Sequence, residues 1–251
     1  MMNVLLLEDE ATWPGSVVSC LDRHHEMFLD RETGNNCPAT SILNAAVYEL
    51  IDLLQSCGYA LRGYHCTRLT DEEIETIKAE GMTLPDGHSL RKRISKLQDT
   101  GLLTTDIAER LINDNQSDDD TRARMLWFCH GLNGEGDQGI ERFFRSWGGE
   151  ALYNSHEYDP VTGSVLNRIG TPCIIEAHVP IKSLSYKYYL SKKIIQRYLV
   201  NRGLRTVEPI IDHDDCSTEP IPPENIVRVI RHPDPAFLAL SGCAQWEEVL
   251  I

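Results

Sequence analysis

The sequence contains no apolar run long enough to cross a membrane. A transmembrane helix needs about 20 predominantly apolar residues, and the apolar run at 4–7 leads directly into the acidic residues 8–10. No basic residue precedes that run, so the sequence does not predict a signal peptide. We therefore expect a cytoplasmic protein that does not interact with a membrane.

Cysteines are present, but they lack the spacing of a metal or redox motif. No Cys-x-x-Cys occurs, and the eight cysteines lie at positions 20, 37, 57, 66, 129, 173, 216 and 243. This scatter is typical of reduced thiols in a reducing compartment. No cysteine is paired with a histidine by spacing alone, so no nucleophile is predicted.

The glycine-rich loops of common nucleotide-binding folds are also missing. The sequence has no Gly-x-Gly-x-x-Gly, no Gly-x-x-x-x-Gly-Lys-Ser/Thr and no Gly-x-Ser-x-Gly. The segment 131–136 reverses the first of these spacings and follows no βαβ unit. Rossmann, P-loop and α/β-hydrolase chemistry therefore lose their usual markers.

Positive charge is scarce. The chain carries 24 lysines and arginines against 38 aspartates and glutamates, a net charge of −14 at pH 7. Non-specific attraction to nucleic acid is therefore not expected. The clusters 91–93 and 192–205 leave a local basic groove open, although the sequence favours solvated helix faces there.

The most informative segment is a strand followed by a capped helix. Residues alternate faces along a strand, so His65 and Thr67 share one face while Tyr64 and Arg68 share the other. In the helix that follows, residues 70 and 73 have the capping-box spacing, and Gly81 suits its C-terminus. A histidine and a hydroxyl on one face can bind a small polar ligand, although a satisfied half-buried histidine explains the fragment as well.

This arrangement resembles the first motif of the ADP-ribosyltransferase superfamily, in the histidine-type branch of diphtheria-like toxins and poly-ADP-ribose polymerases. The resemblance implies that His65 contacts the ribose of NAD while the adjacent backbone holds the nicotinamide amide. It also implies an aromatic ring that stacks on nicotinamide. The NAD-binding residues it predicts are Tyr64, His65, Thr67, Arg68 and Tyr153.

The remaining elements predict an α+β fold. Helical spacing covers 36–56, 89–115, 140–147 and 186–201, while strands are predicted at 125–129, 150–154, 172–180 and 222–230. Their order resembles an ADP-ribosyltransferase-like split β-sheet core. We expect an N-terminal helical arm at 1–58 and a catalytic domain at 59–251, with a helical insertion at 88–118.

Transfer of ADP-ribose requires a carboxylate near the ribose to stabilise positive charge. Three glutamates compete for this role. Glu150 follows a pair of glycines, and Tyr153 would lie on the opposite face of a strand there. Glu208 precedes the last strand, where the family's catalytic glutamate usually falls, whereas Glu224 fits a solvated position at the start of a strand.

Other polar groups have simpler explanations. Arg68 could bind a phosphate of NAD, but a surface ion pair with Asp71 or Glu72 explains it as well. The segment 212–216 resembles a metal-binding string, yet a hydrated acidic turn is favoured. Glu176 and His178 share one face of a strand that either lines a cleft or is polar at its edge. No metal site is predicted.

The expected function is an NAD-dependent ADP-ribosyltransferase that modifies a macromolecular acceptor, either protein or nucleic acid. By resemblance, a role as a bacterial toxin or phage-defence effector and a neutralising antitoxin or inhibitor protein are implied. A tRNA phosphotransferase-like or metal-assisted hydrolase remains an alternative, as does a non-catalytic acidic protein-interaction module.

Overall fold

Helices and strands alternate irregularly along the chain in the computed structural model, which describes residues 2–34, 39–132, 139–204, 213–247 and 250. Eleven α-helices and six strands lie within this described part. In chain order the elements are β1 (Val4–Leu5), α1 (Gly15–Arg23), α2 (His25–Thr33), α3 (Thr40–Ser56), β2 (Ala60–Leu69), α4 (Asp71–Glu80), α5 (Gly87–Asp99), α6 (Thr105–Asn113), β3 (Leu126–Cys129), α7 (Glu141–Arg145), α8 (Glu150–His156), α9 (Thr162–Leu166), β4 (Thr171–Pro180), α10 (Lys187–Asn201), β5 (Asp214–Ser217), β6 (Ile226–Arg231) and α11 (Pro235–Ser241).

The six strands form one sheet. Their order is β5-β3-β2-β4-β6, and β1 pairs with β2 beside this path. Strand β1 runs parallel to the start of β2, with Val4 opposite Ala60. Strand β6 runs antiparallel to β4, with Cys173 opposite Arg231. The predicted α+β class is confirmed.

The transition from β2 to α4 follows from local sequence signals. The Thr70 hydroxyl accepts a hydrogen bond from the Glu73 amide at 3.2 Å, and the Glu73 carboxylate accepts one from the Thr70 amide at 2.8 Å. Gly81 follows the end of the helix with a φ of 82°, and a β-carbon there would lie 2.1 Å from the carbonyl oxygen of Ile221. A glycine is therefore required at this position, and both predicted ends of the helix are confirmed.

The chain divides into two compact units, and the first consists of Met1–Gly63, Cys129–Gly131 and His178–Ser217. Helix α3 packs against α1 and α10 in this unit. Gly58, with a φ of 68°, follows the end of α3 as predicted. One apolar face of α3 is buried, and its members are Leu43, Ala46, Val47, Leu50, Ile51 and Leu54.

The second unit consists of Tyr64–Phe128, Leu132–Ala177 and Thr218–Ile251. Helices α5 and α6 pack against each other, on the two sides of residues 100–101 as predicted. Neither unit is one continuous segment, and the domain boundary at residue 58 stays a prediction. A buried apolar cluster joins α5 and α6 to later segments of the second unit, and its members include Leu90, Ile94, Leu97, Ile107, Leu111, Trp147, Leu152, Leu166 and Ile169.

Two predicted elements are wrong. Residues 150–154 form the start of helix α8 instead of a strand, because the buried side chains Leu152 and His156 recur at helical spacing. The segment predicted as a hydrated acidic turn continues into strand β5, in which Asp215 is buried and Asp214 is exposed. Asp212 lies outside the described residues.

Candidate functional site

His65 lies on β2 in the second unit, with its ring held by the neighbouring strand. Its Nδ1 lies 2.8 Å from the backbone carbonyl oxygen of Trp127. Because a carbonyl oxygen can only accept, Nδ1 carries the proton in this hydrogen bond. In the neutral ring Nε2 then has a lone pair, and it makes no hydrogen bond to any residue that the structure describes. Nε2 is therefore available as an acceptor.

The surroundings of His65 favour its neutral form. Burial lowers the pKa of the imidazole, the hydrogen bond to Trp127 raises it, and the positive charge of Arg93 lowers it further. The ring also packs edge-on against Phe128, with ring centres 5.9 Å apart. A neutral imidazole whose tautomer is fixed can accept a hydrogen bond from a ligand hydroxyl.

The predicted alternation of faces along β2 is present. His65 and Thr67 are partly exposed, whereas Tyr64, Cys66 and Arg68 are buried. The predicted contact of Tyr64 and Thr67 with NAD stays a prediction, but the pair His65 and Thr67 does present its side chains on one face.

Arg68 points into the interior. Its Nε donates to the carbonyl oxygen of Ile169 at 2.8 Å, and one terminal nitrogen donates to that of Phe144 at 3.1 Å. Only 4% of the residue is exposed. Because these donors are engaged with backbone carbonyls, a phosphate would have to displace them, and the arrangement favours a structural role for Arg68.

Glu73 holds Arg93, whose charge acts on His65, although the sequence indicates only a helix cap for Glu73. Its carboxylate accepts a hydrogen bond from Arg93 Nε at 2.7 Å and from Trp147 Nε1 at 3.0 Å. The Arg93 guanidinium also lies over the Trp147 ring, 4.6 Å from its centre. Burial raises the pKa of Glu73, but Arg93, the Thr70 amide and Trp147 together lower it more, so the net shift is downward. Glu73 thus holds Arg93 in place as a fixed positive charge.

Glu150 and Tyr153 are brought together on one turn of α8. The Tyr153 hydroxyl donates to Glu150 Oε1 at 3.2 Å, and Arg122 Nε lies 3.3 Å from Glu150 Oε2. Tyr153 is buried, and the Arg142 guanidinium stacks on its ring at 4.0 Å. Burial and the Glu150 carboxylate raise the pKa of Tyr153. Among the described residues, no hydrogen bond or ion pair joins Glu150 or Tyr153 to His65.

The other candidate glutamates differ in their surroundings. Glu224 is exposed in a short 3₁₀ helix, Pro223–Asn225, just before β6, which agrees with a solvated position. Glu208 lies outside the described residues. Glu176 is mostly buried, and its Oε2 accepts a hydrogen bond from Arg228 Nε at 2.7 Å, so an ion pair uses this side chain.

A second histidine cluster lies in the first unit and is not predicted by the sequence. His213 Nε2 lies 3.3 Å from Asp215 Oδ2, and its ring stacks on that of His130 at 5.6 Å. The other oxygen of Asp215 accepts hydrogen bonds from the amides of Ser185 and Tyr186. The two histidines and the aspartate are buried. Residues 215–217 of β5 are all buried, so strand alternation does not reveal this cluster within a string that looks uniformly hydrophilic.

Comparison with protein-family models, curated proteins and solved structures gives no match to this chain. No helix in the described ranges is long and apolar enough to cross a membrane. The seven cysteines within those ranges form no disulfide with one another.

Proposed function

We propose that the protein is an NAD-dependent ADP-ribosyltransferase whose sheet is the split β-sheet core of that superfamily. The observation that carries this proposal is the His65 imidazole. Its Nδ1 is tied to a backbone carbonyl, and its Nε2 is open on the face that also carries Thr67. Such a nitrogen can accept a hydrogen bond from a ribose hydroxyl.

The charge near His65 also suits a dinucleotide. Arg93 is fixed by Glu73 and Trp147, and its charge reaches His65. A guanidinium in this position can bind a phosphate oxygen of NAD. His65 and Arg93 would then contact the ribose and the diphosphate of one ligand, while Thr67 offers a further hydroxyl.

The reaction needs positioning and charge stabilisation more than covalent help. The bond between the nicotinamide nitrogen and the ribose breaks, and its electron pair leaves with nicotinamide. An oxygen or nitrogen of the acceptor forms the new bond to the ribose, and the acceptor's proton passes to a carboxylate or to water. A carboxylate near the ribose stabilises the positive charge that develops there.

Glu150 and Glu208 remain the proposed carboxylates. Glu150 has one oxygen held by Tyr153 and the other near Arg122, so its position is defined without being buried. Tyr153 would act by orienting Glu150, since it is buried and engaged. This differs from the stacking role that the resemblance implies for Tyr153.

The acceptor is proposed to be a macromolecule, with protein favoured over nucleic acid by the net charge of −14. A toxin or defence role with a neutralising protein partner belongs to the same proposal. The phosphotransferase alternative needs several arginines that face a phosphate, and Arg68 donates to backbone carbonyls instead.

The test is to incubate the purified chain with NAD labelled in its adenylate part, adding cellular protein or cellular RNA in separate reactions. Nicotinamide release with transfer of the label to one of these pools is expected. If the chain neither binds NAD nor releases nicotinamide, the proposal fails and the acidic interaction module takes its place.

A further inference from the structure

Three metal-binding side chains converge in the first unit, and none of them is used by the proposed transferase. They are Cys20, His24 and Glu49, and one ligand atom from each lies within 4.8 Å of the other two. Cys20 lies on α1 and His24 follows its last residue, so the two are four residues apart on one helix face. Glu49 reaches them from α3, which packs against α1.

The present distances between these ligand atoms are close to those of a zinc site. Zinc bonds of about 2.0–2.3 Å place neighbouring ligand atoms roughly 3.5 Å apart. His24 Nε2 lies 3.0 Å from Glu49 Oε2, so a shift of about 1 Å by the other atoms would complete the set. Side-chain rotation within one packed helix pair can supply a shift of this size.

The surroundings suit an ion at this position. Cys20 is fully buried, whereas His24 and Glu49 are partly exposed, so the cluster is closed on its inner side and open to solvent on its outer side. The Arg23 guanidinium donates to Glu49 Oε1 at 2.5 Å, which orients the carboxylate and leaves Oε2 for the ion. Such outer partners tune metal ligands in proteins.

We propose that Cys20, His24 and Glu49 bind a zinc ion, with a water molecule as the fourth ligand. The combination of sulfur, nitrogen and oxygen ligands suits Zn²⁺, whereas Ca²⁺ and Mg²⁺ prefer oxygen ligands alone. The ion takes the place of the thiol proton of Cys20, which is released to solvent, and it would link α1 to α3. This inference does not depend on the proposed transferase activity.

The test uses the full chain after removal of metal with a chelator. Titration with Zn²⁺ should show one bound equivalent and a rise in the midpoint of thermal unfolding. Titration with Co²⁺ should give the charge-transfer absorption of a cobalt thiolate, which reports directly on a cysteine ligand. Cys20→Ser should abolish that absorption.

Two variants at partly exposed positions keep the test valid if Cys20→Ser fails to fold. His24→Gln and Glu49→Gln should each weaken zinc affinity by at least about tenfold. His25→Gln, at the neighbouring histidine, and Cys57→Ser are matched controls that should keep full affinity. The proposal is overturned if the wild type binds no zinc, or if binding survives unchanged in both His24→Gln and Glu49→Gln.

Discussion

His65 and His213 use the same side chain in opposite ways. His65 is partly exposed, donates to a backbone carbonyl and keeps Nε2 open. His213 is 2% exposed, and its Nε2 faces the buried carboxylate of Asp215. The hydrogen-bond partner of each histidine therefore decides its role. The Trp127 carbonyl fixes the tautomer of His65 and leaves Nε2 as an acceptor for a ligand. The buried Asp215 carboxylate instead holds the His213 ring within the fold.

The largest loss of stability is expected when Asp215, the partner of the buried His213, is replaced. Asp215→Ala removes the acceptor for the amides of Ser185 and Tyr186 and leaves His213 without its carboxylate. We expect the free energy of unfolding to fall by about 3–5 kcal/mol, measured by urea denaturation. Asp214→Ala, at the exposed neighbouring position, should change it by less than about 0.5 kcal/mol. Equal midpoints for the two variants would contradict a structural role for the cluster.

The next effect is a pH dependence that comes from His130, which stacks on His213. The pKa of His130 is lowered to about 4, chiefly by burial and further by His213, while the Arg62 carbonyl and Asp215 oppose the shift. Below a pH of about 6.5 the unfolded chain binds a proton that the folded protein does not. The free energy of unfolding should therefore fall by about 3 kcal/mol as the pH drops from about 6.5 to about 4.

Urea denaturation at several pH values in this window checks the prediction. In His130→Asn, unfolding should take up about one proton fewer, so the slope of the unfolding free energy against pH should be smaller. His65, whose pKa is also lowered, contributes in the same direction and is unaffected by this variant. An identical slope in wild type and variant would show that His130 has the same pKa in the folded and unfolded chain.

The carboxylate variants probe the open histidine and its proposed ligand. Glu150→Gln or Glu208→Gln should keep NAD affinity and lower turnover by roughly a hundredfold or more, because only the charge is removed. Glu224→Gln is the control, since Glu224 is exposed. Steady-state nicotinamide release and NAD binding are measured for each variant. Normal turnover in all three would remove both glutamates from the mechanism.

A smaller effect is expected at the glycine pair before α8. Gly149 has a φ of 60°, and a β-carbon there would meet no atom within 4 Å. Backbone strain without steric conflict is therefore the expected result, and Gly149→Val should lower the free energy of unfolding by about 1–3 kcal/mol and impair activity. Gly15→Ala is the control, because Gly15 has an ordinary φ and open space. Equal stability of the two variants would show that a side chain at position 149 does not strain the backbone.

Short-range signals explain which parts of the fold the sequence predicts. The capping box of α4 and the glycine that follows it lie within or beside the helix's own sequence, so the elements around His65 are predicted correctly. The face shared by His65 and Thr67 follows from strand alternation. These features depend on neighbours in the chain and on little else.

The rest depends on residues that are distant in sequence. The Glu73 carboxylate accepts hydrogen bonds from Arg93 and Trp147, which lie 20 and 74 residues away in the chain. No local sequence pattern indicates those partners. Asp215 accepts hydrogen bonds from two backbone amides in the segment just before α10. That segment lies about thirty residues earlier in the chain. At α8 the sequence predicts a strand because the glycine pair interrupts the helical pattern and the apolar positions span barely two turns.

The proposed transferase is tested most directly by comparing nicotinamide release by the wild type and by His65→Ala, with thermal unfolding of both. Loss of the open Nε2 acceptor should lower release by about a hundredfold or more, while the unfolding midpoint changes little because the ring is only partly buried. Release that survives unchanged in His65→Ala would contradict the role of this acceptor. An equal loss of folding in the variant would make His65 a core residue instead.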